Sequence, residues 1–292
     1  MRPRAFAWAA VLTLLSSLYV STACSACSRR REPRAIAARI VSLSPSTTEA
    51  LFAIGARASI VGRSRFCDYP PEAQRLPQVG GYVDPSFEAI LALHPDLVVG
   101  ARGPSGAGLT EKLAARGIAT YFPETESFAQ IEEMIAGVGA RSGHEQEARR
   151  VADAIGAHAE AIERALRPLA KRRVLLVFGL EPIVAAGPGG FPDEMLRRAG
   201  GVNVVTSGGA YPTIGMERVY GLDPDVILDA SVSEAHGAER IRADSPGWSS
   251  VRAVKDGHVV PLADEAVLRP GPRIAVGLAI VARALHPEAA LP

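Results

Sequence analysis

The chain is poor in cysteine, in net charge and in the glycine patterns that hold nucleotides. Only Cys24, Cys27 and Cys67 occur, and without a CxxC…CxxC pattern no zinc module is implied. Thirty-two basic residues against 31 acidic ones leave a formal net charge of +1, so no strong field draws nucleic acid or an anionic membrane. No basic block is interleaved with aromatics in the manner of nucleic-acid binders. "GPSGAG" (residues 103–108) and "GPGG" (187–190) are glycine-rich, but neither fits GxGxxG or the P-loop pattern, and both read as turns. There is no GxSxG elbow for a nucleophilic serine. The six histidines lack HExxH or HxxxH spacing. No catalytic residue, metal site or resident cofactor is therefore expected, and an enzyme has no support in the sequence.

What is present is a globular composition, 48% hydrophobic and 22% charged over 292 residues, a length that suits two lobes better than one. Residues 1–23 read as a secretory signal: a basic "MRPR", the apolar "AFAWAAVLTLLSSLYV" and then small residues. No later segment is apolar and long enough to span a membrane. The small residues ahead of Cys24 resemble a bacterial lipoprotein site, in which that cysteine becomes the lipidated N-terminus. Cys27, after Ser25 and Ala26, is a second candidate, and cleavage without a lipid is the plainer alternative. Residues 24–38 read as a flexible tether. The expected location is the periplasm or cell envelope, with a lipid anchor.

From Arg39 onward short apolar runs alternate with helical patterns, predicting an α/β fold with largely parallel sheets. Ser46 and Glu49 have capping-box spacing, and Gly55 suits the end of that helix. Ser127 and Gln130 have the same spacing. In residues 144–170, Val151, Ile155, Ile162, Leu166 and Leu169 recur at helical spacing. About 25 residues at this rise give a rod of roughly 37 Å, long enough to run along two lobes. The expected organisation is a first lobe over 39–141, a backbone helix over 142–170 and a second lobe over 171–292, with a ligand cleft between the lobes.

One segment is built twice. "SFEAILALHPDLVV" (86–99) and "GMERVYGLDPDVIL" (215–228) share small, apolar, Glu, then Leu-x-Pro-Asp and an apolar run. In the first copy Asp84 is expected as N-cap with Pro85 at the first helical position. Glu88 and Glu217 fall at equivalent places in a helix-then-strand unit, one in each lobe. In open α/β sheets ligands bind beyond the carboxyl ends of the strands. The loops there carry Phe66, Tyr69 and Tyr82 in the first lobe, and Ile183 and Tyr211 in the second. Phe178 reads as core.

"RIVSLSPSTTEALFAIGA", "FCDYPPEAQRLPQVGGYVDPSFEAILALHPDLVV", "VLLVFGLEP" and "MLRRAGGVNV" resemble the substrate-binding proteins of ABC importers for cobalamin, ferric siderophores and haem, over nearly all of the chain after residue 38. "SPSTTE", "DYPPEA" and "FGLEP" are most similar to the periplasmic cobalamin binders. The resemblance implies two α/β lobes joined by one long rigid helix, and a monomer that hands a metal-chelate ligand to a dimeric permease with its ATPase and catalyses nothing. It implies a corrinoid held by aromatic and apolar side chains, with Tyr82, Ile183 and Tyr211 at the aligned loop positions. The loop near "ADEAVLRPGPR" departs from it, lacking the Trp of cobalamin binders. Haem, through a ligating Tyr82, or a ferric siderophore, held by arginines such as Arg63, Arg65, Arg102, Arg269 and Arg273, is the alternative. An envelope lipoprotein that keeps the fold without transport is another. Glu88 and Glu217 would dock onto permease arginines, one from each lobe.

Overall fold

Short, fully buried and mostly apolar triplets such as Ile40–Ser42 and Leu97–Val99 are the mark of a parallel sheet covered on both faces. The computed structural model describes residues 36–103, 106–231 and 240–292. The signal, Cys24 and Cys27 lie outside these residues.

The first lobe runs β1 (Ile40–Ser42), α1 (Pro45–Ala53), β2 (Ile60–Arg63), α2 (Phe87–Ala92), β3 (Leu97–Val99), α3 (Gly106–Ala114), β4 (Ala119–Tyr121) and α4 (Phe128–Ser142). Its sheet is parallel throughout, in the order β2-β1-β3-β4. Two helix starts differ from expectation. α1 is capped by Ser44, not Ser46, because Pro45 fits the first helical position, where an N–H has no partner anyway. α2 is capped by Ser86, whose hydroxyl accepts from the Ala89 amide at 3.2 Å. Asp84 is instead taken by Arg65 at 2.7 Å. At α4 the Ser127 hydroxyl accepts from the Gln130 amide, and Gln130 reaches back to the Glu126 amide at 2.9 Å.

The rod is α5 (Glu145–Leu166), 22 residues or about 33 Å. Its apolar stripe is sunk between α4 and the last helix (Ile274–Leu285), and one core cluster runs from Ala37 to Leu285 through both lobes. The rod therefore shares a core with each lobe rather than standing between them.

The second lobe runs β5 (Arg172–Leu180), β6 (Ile183–Ala185), α6 (Phe191–Arg198), β7 (Gly201–Asn203), β8 (Thr213–Ile214), α7 (Met216–Leu222), β9 (Val226–Asp229), α8 (Arg252–Lys255), β10 (Val259–Pro261) and α9 (Ile274–Leu285). Its sheet has the order β10-β9-β5-β6-β8, with β7 on the N-terminal part of β5. β6 and β8 are antiparallel additions that turn the "GLEPIV" loop into a hairpin.

The duplicated segment is explained to a large extent by one hydrogen-bond scheme used twice. α2 gives way to His94 at φ 44° and α7 to Asp223 at φ 40°, each followed by proline. In the first copy Asp96 Oδ2 accepts from the Arg39 amide at 2.9 Å, and the Arg39 guanidinium donates to the Leu93 and His94 carbonyls at 2.7 and 3.0 Å. In the second, Asp225 Oδ2 accepts from the Arg173 amide at 3.0 Å, and Arg173 donates to the Leu222 and Asp223 carbonyls at 2.7 and 3.5 Å. Each arginine thus satisfies helix-end carbonyls that have no partner in the helix. Leu-x-Pro-Asp is a folding device, and it makes no use of the glutamates.

The lobes are joined by an ionic lock. Glu49, on α1, keeps only 2% of its side chain exposed. Arg273 Nε and Nη2 donate to its two oxygens, both at 2.8 Å, and Arg269 Nη1 reaches it at 3.4 Å. Arg269 also bonds Asp68 at 2.6 Å and pairs with Glu265. The Arg273 guanidinium lies over the Tyr69 ring, 3.8 Å from its centroid. A second strap ties α6 to α4 and the rod: Glu194 accepts from the Phe128 amide at 3.0 Å, and Arg198 bonds Glu194 and Glu163 at 2.8 and 2.7 Å. Removing one partner from a buried, hydrogen-bonded pair leaves the other charge uncompensated. Glu49→Ala is expected to destabilise the protein by about 3 kcal/mol, read as a shift of the chemical denaturation midpoint; a loss below about 1 kcal/mol would place Glu49 among the weak surface pairs.

Candidate ligand cleft

The lock sets the distance between two loop rims, and a cavity of about 290 Å³ lies between them. The first lobe contributes residues just past its strand ends: Ser44 and Ser46 after β1, Ala101 and Arg102 after β3, Thr125 and Glu126 after β4, with Tyr82 from the loop before α2. The second lobe contributes Phe191, Tyr211 and the segment Leu268, Arg269 and Pro270.

Tyr82 is held by its hydroxyl, which donates to the Arg102 carbonyl at 2.6 Å. Gly103 permits this approach, since a Cβ there would run into the Tyr82 hydroxyl. Tyr211 leans on Phe178, ring centroids 5.8 Å apart and planes at 54°, an arrangement aromatic pairs favour. Phe178 is half-buried and packs on the core. The Tyr211 hydroxyl donates to Glu126 Oε2 at 3.5 Å. Both phenols are pushed above the ordinary tyrosine value, first by partial burial and then by the Glu126 carboxylate, with Glu124 adding to the effect on Tyr82. Tyr82 and Tyr211 thus enter one cavity from opposite lobes, with Glu126 beside them.

The other expected cleft residues are placed elsewhere. Ile183 pairs with Leu180 and Ile214 in the sheet, and its side chain is 7% exposed in the second-lobe core; the hairpin turns what reads as a loop position into a core one. Phe66 is 47% exposed beneath the Arg65 guanidinium and lines neither cavity. Tyr69 lines a separate cavity of about 380 Å³ beside the lock, with Phe52, Arg57, Glu72 and Pro272.

The candidate arginines are all engaged. Arg63 is buried and donates to the Ser64 and Gln74 carbonyls at 2.9 and 3.1 Å. Arg65 pairs with Asp84 at 2.7 Å and Arg102 with Glu124 at 3.1 Å. Arg269 and Arg273 belong to the lock. Partial burial pushes the Asp68 carboxyl up, but its hydrogen bond and charge contact with Arg269 outweigh this and hold it below the usual carboxylate range. Glu126, by contrast, has no cation partner among the described residues. Sequence reasoning missed it, together with Ser44, Ser46 and Phe191. The available signal was position: Ser44 and Glu126 lie just past β1 and β4, at the carboxyl edge where ligands of such sheets bind.

Glu88 and Glu217 are exposed in the first turns of α2 and α7, where the helix dipole favours their charge. Neither forms an ion pair with another described residue. Among the described residues no group of three or more His, Cys, Asp or Glu gathers as a metal site. The arrangement suits a flat, largely apolar ligand gripped by ring faces, with few polar contacts to fix its orientation.

A family model described as periplasmic binding protein matches residues 40–266. The vitamin B12-binding protein of Salmonella typhimurium is 31% identical over 239 residues, covering 82% of this chain and 86% of the relative. The periplasmic vitamin B12 binding protein BtuF of Vibrio cholerae superposes with a TM-score of 0.74 at 27% identity, covering 85% of this chain and 96% of that one. The periplasmic heme-binding protein RhuT of Roseiflexus, in its apo form, gives the same TM-score and identity, covering 85% and 98%. Sequence motifs, the two α/β lobes with their buried rod, and these matches agree, and the chain belongs to the periplasmic binding protein family.

Proposed function

We propose that this chain is the substrate-binding component of an ABC importer and that its cargo is a corrinoid of the cobalamin type. The observation that carries the reading is a cavity flanked by Tyr82 and Tyr211 from opposite lobes, whose two lining arginines, Arg102 and Arg269, already have carboxylate partners. Ring faces hold a rigid macrocycle at little entropic cost. A polyanionic ferric chelate would call instead for uncommitted guanidiniums, the bidentate partners of such groups. The vitamin B12-binding relatives support the same choice. Haem is the second reading, favoured by the heme-binding neighbour and by a tyrosine in the cleft. Against it, partial burial and the Glu126 carboxylate push both phenols above the ordinary tyrosine value, which disfavours the phenolate a ferric centre would take.

Export, with a lipid on Cys24, completes the reading, supported by the basic, apolar, small-residue order that ends at that cysteine. The partner is a dimeric permease with its ATPase. A two-fold partner can meet a pseudo-symmetric receptor with one anchor per lobe. Glu88 and Glu217 have that placement, and the folding device that repeats around them does not need them.

Two experiments test this. Tyr82→Ala combined with Tyr211→Ala is expected to weaken cyanocobalamin binding by about 1–3 kcal/mol through lost ring contact, measured by calorimetry; unchanged affinity in a folded double variant would remove the tyrosines from the site. Glu88→Arg combined with Glu217→Arg is expected to abolish permease association and transport by facing like charges across the interface, with ligand affinity retained. Normal stimulation of the permease by that variant would reduce both acids to helix-stabilising surface groups.

A further inference from the structure

Resting on the corrinoid reading, we propose that Glu126 is the specificity-determining residue of the cleft, discriminating against macrocycles that carry carboxylates or that need a tyrosinate ligand. Three charged side chains line the Tyr82–Tyr211 cavity: Arg102, Arg269 and Glu126. Arg102 faces Glu124 at 3.1 Å, and Arg269 faces Asp68, Glu265 and Glu49. Glu126 alone has no cation opposite it among the described residues, so the cavity presents a net negative edge. Its Oε2 lies 3.5 Å from the Tyr211 hydroxyl, and its charge also acts on Tyr82.

This placement has two effects. A carboxylate-bearing porphyrin entering between the tyrosines brings like charge against Glu126 in a partly desolvated site, where repulsion is screened less than in water. A ferric centre seeking a phenolate must also displace a proton that Glu126 helps the phenol retain, because a neighbouring negative charge disfavours the ionised form. A corrinoid fringed with neutral amides meets neither obstacle, and its N–H groups find in Glu126 an acceptor. The aromatic walls do not separate the two macrocycle classes, since each presents a flat face to the rings. The acid does.

Glu126→Gln tests the assignment, because it keeps shape and acceptor oxygen and removes only the charge. Cyanocobalamin and haemin are titrated into wild type and variant at low and high salt. The ratio of haemin to cyanocobalamin affinity is expected to rise about tenfold or more in the variant. The gain should shrink at high salt as screening weakens the repulsion present in wild type. The ligand-free variant should show tyrosine ionisation at lower pH by ultraviolet difference titration, a readout that a merely structural role would not move. An unchanged haemin-to-cobalamin ratio, or no measurable haemin binding by either protein, overturns the assignment. A wild type that prefers haemin would sink the corrinoid reading instead, while the variant-to-wild-type ratio for haemin still reads the role of Glu126.

Discussion

Glu49 is the group on which both halves of the molecule depend. A carboxylate this deeply buried is tolerable only when fully paired, and its partners come from the other lobe. One interaction therefore does two things. It fixes how far apart the loop rims stand, and so how Tyr82 and Tyr211 face each other. It also takes up Arg269, which lines the cleft, and Arg273 beside it, with Asp68 and Glu265 completing the neutralisation of Arg269. The lock neutralises one of the two cleft-lining arginines, Arg269; the other, Arg102, is paired with Glu124.

The duplicated segment separates folding from function within one stretch of sequence. Its second half, Leu-x-Pro-Asp, is accounted for atom by atom by Arg39 with Asp96 and Arg173 with Asp225. Its first half holds an acid that neither copy uses internally. Fold requirements explain the former; the latter is left exposed in the first turn of each helix, where the dipole favours it.

The alternation of strands and helices, the rod and the equivalence of the two glutamates were legible because each is a periodicity or a repeat, which a chain displays locally. Helix starts were less so. Proline at the first helical position overrode capping-box spacing at Ser46, and a salt bridge to Arg65 drew Asp84 away from the cap of α2. Whether the short apolar run at Ile183 becomes loop or strand is decided by pairing with β5 and β8, a non-local event that the sequence does not display. The lock was illegible for the same reason: Glu49 and Arg273 are 224 positions apart. Of the cleft, the tyrosines can be picked out as aromatics in Gly- and Pro-rich loops, whereas nothing local in the sequence marks Glu126.

A lobe-spanning aromatic cleft whose arginines are all paired and whose one unpaired charge, among the described residues, is Glu126 should take up a corrinoid. The purified protein, incubated separately with cyanocobalamin, haemin and a ferric siderophore and then desalted, should retain the visible spectrum of the corrinoid at about one equivalent per chain, as expected of a single cleft. Retention of haemin or the ferric chelate in place of the corrinoid would contradict it.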